Sequence, residues 1–499
     1  MMEEYVHAEK LEHSISSGKS ADASDSQYRF TLWLCDMAEE FARKVKRRDS
    51  RAFAYRGVDL ERAFKRAVYF RLINDDEAYE IFRSGLRGER PSLPPGEQTP
   101  TRELLAEYLS PSNAADSSRL PLREVLIDAA RRAAGIIPRR LYGSLWALAL
   151  QPKFVAHLRP IMEALDQPYR FITFDDPVTD EYTLSHGFLS LNAGPGRQRK
   201  TLRRLSSGLD VVHGHALAYD AVMDHLSREL PRGIVLSEGN APIYEIVNLA
   251  ARRLRIPTVC VQQGWSPIVH TGFRELHFSS MVVWGDWFAE ALASYNPGQR
   301  FAALGHHLIG LHAPKAVQPR TLGFFLQRGS RLISDETWTG MLDLIEFCAR
   351  DLPQAQVLVR EHPNGPLTDA ERARLTALPA VELTPPDGAT LQAVLARCDI
   401  VVSVFSTTIL EGIGAGAVPL IVNVASLPSY YPDVAASGAG IEVKDFAAAR
   451  NALRELWLEG TARYATRVAA MQRRLFAHGG AQALERIVLH VRREFRLRT

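Results

Sequence analysis

The sequence predicts an α/β protein, with two facing, doubly wound domains preceded by an α-rich N-terminal region. Three observations carry that prediction. Apolar side chains recur at helical spacing through about the first 150 residues. Beyond Pro168, short β-branched runs alternate with amphipathic helices, the rhythm of a parallel sheet with crossover connections. That rhythm then restarts after HAPKAVQPR, His312 to Arg320, a stretch with two prolines that suits an interdomain linker.

Size and composition narrow the class. A chain of 499 residues exceeds what one hydrophobic core usually serves, so more than one domain is expected. With 46% hydrophobic and 23% charged residues, neither disorder nor a coiled coil describes it. The 60 Lys+Arg against 57 Asp+Glu leave a net charge of +3, too little for a protein whose main ligand is a nucleic-acid backbone. Cys35, Cys260, Cys348 and Cys398 are far apart and form no C-x-x-C pair, which argues against a disulfide framework or zinc ribbon and fits a reducing cytoplasm. The opening MMEEYVHAEKLEHSISSGKS is acidic then polar, unlike a secretory signal. The longest apolar runs, at Leu145 to Leu150 and Ile400 to Phe405, fall short of the roughly 20 residues of a spanning helix. Any membrane association is therefore expected to be peripheral.

In the N-terminal region Leu34, Met37, Ala38, Phe41 and Ala42 share one helical face, as do Leu60, Phe64, Val68 and Leu72, with no strand pattern between them. GERPSLPPGEQTP, Gly88 to Pro100, reads as a surface linker, and helix is expected again through Leu104, Val125, Ala129 and Leu145. RFITF, Arg170 to Phe174, is the first expected strand. GIVLSEGN, Gly233 to Asn240, runs into a helix with Ile243, Ile246, Val247, Ala250 and Leu254 on one face; TVCVQQG and SSMVVWG are the next strands. In the second half TLGFFLQ, QVLVREHP, CDIVVSVFS and LIVNV are strands, with helices at Trp338 to Ala349 and in TILEGIGAGAVP. From Ala483 to Arg498, Leu484, Ile487, Val488 and Val491 form the apolar face of a basic last helix. The expected divisions are residues 1–150, 151–312, 313–480 and 481–499.

Doubly wound domains bind ligands at the carboxyl ends of their strands, so strand-end residues are the candidates. Ser406, Thr407 and Thr408 stand where a buried strand turns into a helix, a place for a phosphate, and Glu411 lies one turn on, within reach of ribose hydroxyls. The same residues also read as a capping box, S/T-x-x-E. Arg360, His362 and Pro363 end the neighbouring strand, where the imidazole donates to a phosphate oxygen or serves simply as a turn residue. Gln327 and Arg328 end the first strand of this half and would bring a further cation to the cleft. In the first half Glu238, then Asp176 and Asp175, are candidate general bases for an acceptor hydroxyl; each is also a plausible helix N-cap. His213 and His215 look like a metal pair, but no third ligand has informative spacing, so no metal site is expected.

VLVREHP, a loop, and LARCDIVVSVFSTTILEGIGAGAVPLIV resemble the C-terminal nucleotide-sugar domain of GT-B glycosyltransferases, above all bacterial capsule and lipopolysaccharide enzymes with an HP motif and a serine/threonine motif. PTVCVQQGW, MVVWGDWFAE and FAALGHH are similar to the end of the GT-B N-terminal domain and its crossover, and the resemblance spans roughly Gly233 to Val424. It implies Rossmann-like acceptor and nucleotide-sugar domains at 151–312 and 313–480, and gives His362, Pro363, Ser406, Thr407 and Glu411 contacts to nucleotide phosphate and ribose. Where that family often has His before a glycine, this chain has Gln263, so a histidine role there does not carry over.

The expected function is transfer of a sugar from a nucleotide donor to a surface polysaccharide or glycolipid acceptor. Neither a metal nor a cofactor is expected beyond the donor, nor is nucleic acid a partner; the basic last helix is available to an anionic inner-membrane surface. The HP and hydroxyl pairing resembles enzymes that use CMP-activated acidic sugars, with Kdo or a sialic acid as donor and Arg328 or Arg360 on the sugar carboxylate. A diphosphate donor would ask for more cationic or glycine-rich contacts, and GIGAG, Gly412 to Gly416, lies inside the helix past the phosphate site. Two alternatives stay open: a sugar-nucleotide 2-epimerase of the same architecture, and a non-catalytic scaffold of a polysaccharide assembly complex.

Overall fold

The structure is a computed structural model that describes residues 23–73, 75, 78, 79, 82, 143–173, 189–190, 210–266, 269–315, 318–327, 333–362, 365–385, 388–404, 406–424 and 432–497. The described part of the N-terminal region is a pair of helices, α1 (Ala23–Arg48) and α2 (Glu61–Leu72). Between them runs a short antiparallel pair, β1 (Ala54–Tyr55) and β2 (Val58–Asp59). This corrects the expectation of helix without strands. Arg56 and Gly57 take φ of 51° and 79°, the left-handed pair that closes a two-residue hairpin with the right twist. The hairpin is tied down by Asp220, which accepts from the Tyr55 hydroxyl at 2.6 Å and from Arg56 Nη1 at 2.5 Å.

The first large sheet holds β3 (Leu145–Leu148), β4 (Tyr169–Thr173), β5 (Leu189–Ser190), β6 (Ile234–Ser237), β7 (Thr258–Val261), β8 (Ser280–Val283) and β9 (Phe301–Ala303). All run parallel in the order β5-β4-β3-β6-β7-β8-β9. Leu145, expected in a helix, instead opens the central strand of this sheet. The physical reason is that a central parallel strand is covered on both faces, so all four residues of LWAL are buried and show no alternation to read. The helices of this half are α3 (Pro152–Ala164), α4 (Asp210–Glu229), α5 (Pro242–Arg253) and α6 (Asp286–Ala293).

The second sheet has β10 (Thr321–Phe325), β11 (Gln356–Arg360), β12 (Val381–Thr384), β13 (Ile400–Ser403), β14 (Val418–Val422) and β15 (Ile441–Val443), all parallel, in the order β12-β11-β10-β13-β14-β15. Its helices are α7 (Asp335–Asp351), α8 (Asp369–Thr376), α9 (Leu391–Arg397), α10 (Thr408–Gly414), α11 (Phe446–Glu459) and α12 (Ala465–Leu475). In each sheet the chain order reverses beside the first central strand, between β3 and β6 and between β10 and β13. The carboxyl ends of those strands bound a ready-made crevice.

After α12 the chain returns to the first half. Gly479 pairs with His306 of the forward crossover, and α13 (Gly480–Phe495) packs on α3. The apolar face expected from sequence is the one used: Ile487, Val488, Val491 and Phe495 join Leu145, Phe154 and Leu158 in one core. The Phe495 ring fills the space over Gly233, where a Cβ would lie 2.4 Å from it. All four cysteines are buried and unpaired, and among the described residues no helix is long and apolar enough to cross a membrane.

Candidate active site

The two crevices meet in one cleft of about 430 Å³. Its first wall is built at the β3 and β6 ends. The chain leaving β3 enters α3 and brings Lys153 to the cleft; the chain leaving β6 brings Glu238 and Asn240. Glu238 has φ of 62° and the following Gly239 has 73°. A non-glycine residue held in the left-handed region stores strain, and such positions concentrate at functional sites. Glu238 is not the cap of α5, since the N-cap is Ala241, with no side-chain bond. Its carboxylate instead faces the cleft, accepting from Asn240 Nδ2 at 3.3 Å. Burial pushes the Glu238 carboxyl up from the usual 4.5, against the opposing pull of the Lys153 charge and the Asn240 bond. The other two candidate bases, Asp175 and Asp176, lie outside the described residues.

The second wall brings together Gln327, Arg360, His362, Ser406, Thr407, Thr408 and Glu411. Arg328 and Pro363 lie outside the described residues. His362 is half-buried just past β11, and burial, then the charge of Lys153, holds its imidazole below the usual 6.5. At neutral pH it therefore meets a ligand as a neutral ring with one N–H. Arg360 spends Nη1 on the Ala389 carbonyl at 2.5 Å, which fixes the guanidinium at the cleft edge. Ser406 Oγ accepts from the Thr408 N–H at 3.2 Å. Thr407 reaches across the cleft: its hydroxyl donates to the Trp265 carbonyl at 3.1 Å and accepts from the Trp265 N–H at 3.4 Å.

The capping-box reading of Thr408 and Glu411 is not what the chain does. The N-cap of α10 is Thr407, with no side-chain cap bond, and Glu411 turns toward the crossover, where Oε1 lies 3.6 Å from His306 Nε2. The Leu308 N–H donates to His306 Nδ1 at 3.2 Å, so the ring proton sits on Nε2, the nitrogen that faces Glu411. The His306 ring lies 4.5 Å from the Trp284 ring, tilted by 41°, and is flanked by His157 and His307.

Sequence reasoning missed Lys153, because LWALAL was read as helix and the turn after it was not seen as a strand end. It also missed His306, whose only signal is its place in FAALGHH. Gln263, Trp265 and His270 line the cleft as well; His270 is stacked on Tyr69 of α2 at 4.8 Å. His213 and His215 sit two apart on α4 and so point to different faces. Among the described residues no group of three or more His, Cys, Asp or Glu is placed to hold a metal ion.

No family model matches the chain, and no curated protein does. Among solved structures, it is similar to the calicheamicin glycosyltransferase, at 16% identity and a TM-score of 0.47 over 71% of this chain and 99% of that one. The glycosyltransferase SnogD from Streptomyces nogalater matches at 15% identity and a TM-score of 0.42, over 70% of this chain and 98% of that one. UDP-GlcNAc 2-epimerase from Neisseria meningitidis, bound to UDP-GlcNAc, matches at 14% identity and a TM-score of 0.46, over 70% of this chain and 99% of that one.

Proposed function

We propose that the protein is a GT-B glycosyltransferase that moves an acidic sugar from a CMP-linked donor, Kdo or a sialic acid, to a hydroxyl of a bacterial surface polysaccharide or glycolipid. The observation that carries the reading is the pairing across one cleft. A carboxylate with a raised proton affinity, carried on a strained backbone turn, stands on the first wall, and a neutral imidazole with a hydroxyl cluster stands on the second.

In this reading Glu238 takes the proton of the acceptor hydroxyl as its oxygen attacks the anomeric carbon, the step a carboxylate of raised pKa suits. The bond from that carbon to the phosphate oxygen breaks, and CMP leaves with the electron pair. His362, Ser406 and Thr408 donate hydrogen bonds to the phosphate, and Glu411 accepts from the ribose. Lys153 and Arg360 supply positive charge for the sugar carboxylate and the departing phosphate, so no cofactor beyond the donor is called on. Arg486 and Arg493 of α13 and Arg496 just past its end are exposed and available to an anionic membrane surface where the acceptor is assembled.

A thermal-shift screen against CMP, UDP, GDP and CDP tests the donor class, because a ligand bound only by the native state raises apparent stability. Stabilisation by CMP is expected, followed by CMP release from CMP-Kdo or CMP-sialic acid that an acceptor accelerates. Response to UDP or GDP with none to CMP would overturn the donor class. Conversion of a UDP-sugar without any acceptor would replace transfer by epimerisation. Sedimentation with anionic liposomes, unaffected by replacing the three arginines with glutamine, would dismiss the membrane contact.

A further inference from the structure

The helix α2 of the N-terminal region lies directly behind the turn that carries Glu238. Arg66, 1% exposed, donates from Nη1 to the Gly239 carbonyl at 3.3 Å, and the same nitrogen lies 3.5 Å from Oε2 of the equally buried Glu245. Glu245 belongs to the first turn of α5, the helix that the Glu238 turn leads into. One guanidinium thus grips both ends of the segment from Gly239 to Glu245. The turn itself is unfavourable, with two successive positive φ values, and position 239 admits no side chain: a Cβ on Gly239 would lie 2.7 Å from Cys260 Sγ and 2.8 Å from the Phe278 ring. A second residue of α2 braces the same wall, since Tyr69 lies flat against His270, with ring centroids 4.8 Å apart and planes 3° from parallel.

We infer that Arg66 is a positioning residue: from behind the cleft it holds the Glu238–Gly239 turn in its left-handed conformation and so keeps the Glu238 carboxylate aimed at the acceptor. The inference rests on the reading of Glu238 as the base, and it gives the helical N-terminal region a part in the active site. A guanidinium is suited to the task because the N–H groups of Nη1 are fixed in its plane, so that one nitrogen faces the carbonyl and the carboxylate in a set geometry, which an ammonium on a flexible stem does poorly.

The test is a double-substitution cycle that needs no substrate. Glu238→Gly relieves left-handed strain, and a rise in melting temperature of about 2 °C is expected in the otherwise natural chain. If Arg66 enforces the turn, that rise shrinks by about half or more in Arg66→Lys, where the turn is free to relax. Because Arg66→Lys risks leaving Glu245 poorly paired, the cycle is repeated in Arg66→Gln with Glu245→Gln, which removes both charges together. An equal rise in all backgrounds overturns the inference. The functional arm measures CMP release from CMP-Kdo with acceptor. Arg66→Lys is expected to lower kcat about tenfold or more with CMP affinity unchanged, to shift the acid limb of the kcat profile, and to add little in a Glu238→Gln background. Full multiplication of the two effects on kcat would also overturn it. Normal turnover in Glu238→Gln alone would sink the base reading, while the melting cycle would still report whether Arg66 holds the turn.

Discussion

Replacing Thr407 by Val removes one hydroxyl and keeps the side-chain shape, so it isolates the bridge between the two halves of the cleft. The hydroxyl makes two bonds to the backbone of Trp265, at 3.1 and 3.4 Å. Trp265 cannot easily shift to find other partners, because its ring is packed at 5.4 Å from Trp287 and 5.1 Å from Phe288 and is only 8% exposed. The shorter bond is worth about 1 kcal/mol net and the longer one less, and cleft water recovers part of the loss, which leaves about 1 to 1.5 kcal/mol. For a unit of this size that is a fall in melting temperature of about 3 °C without ligand. It is also a drop of about tenfold in CMP affinity if nucleotide binds the bridged state. Differential scanning calorimetry of the ligand-free protein and titration calorimetry with CMP read the two numbers, with Thr407→Ser as the control that keeps the hydroxyl. An unchanged melting temperature in Thr407→Val would refute the bridge. A loss of CMP affinity in that case would hand the hydroxyl to the phosphate instead.

Three further outcomes are expected. His362→Ala should weaken CMP binding by about 1 to 3 kcal/mol with the fold intact; since burial holds the ring below its usual 6.5, affinity in the natural chain should not titrate between pH 7 and 8, and calorimetry at both values checks this. Glu238→Gln should cut transfer on the order of 100-fold with CMP affinity kept, as expected for loss of a general base. It should also raise stability at neutral pH. The folded-state pKa of Glu238 lies above its unfolded value, so the native protein binds the extra proton and loses stability as pH rises from about 4.5 through that raised pKa; the gain from Gln should vanish on acidification below the usual carboxylate range. Lys153→Met removes a charge that now depresses both Glu238 and His362, so the acid limb of the transfer profile should move to higher pH; a profile left in place would separate Lys153 from the chemistry.

The parts of this protein that were legible in sequence are those whose pattern is local. The strands at Ile234, Thr258, Thr321 and Ile400 announce themselves as β-branched runs bounded by turns, and the residues at their carboxyl ends follow from the geometry of a parallel sheet. Glu238, Gln327, Arg360, His362 and the Ser406 to Thr408 cluster thus came out on one cleft from strand ends alone. LWAL at Leu145 to Leu148 failed for the opposite reason. A short run that is apolar all round carries no period, and only its pairing with residues near 170 and 234 makes it a strand. With that strand lost, its following turn was lost too, and with it Lys153, the cation that shifts both titratable groups assigned to the chemistry.

The other contacts that the sequence does not show are long-range as well, and they share a cause. Thr407 and Glu411 were assigned to a phosphate, a ribose or a helix cap because those partners lie within a few residues or belong to a ligand. Within the chain the structure adds Trp265 beside Thr407 and His306 beside Glu411, each more than a hundred residues away. Arg66 stood on a helix whose periodicity identified its buried face but not its target, the Gly239 carbonyl, 173 residues on. A positive charge on an apolar helical face is a poor bet for burial unless something pairs with it. Here the pairing carboxylate, Glu245, belongs to the helix that Glu238 introduces, so the buried guanidinium is paired by the same segment whose conformation it restrains. Stability and function are coupled at this point of the fold: one of the bonds that hold the α-rich region on the first domain, beside those to Asp220, is the bond to the turn of the candidate base.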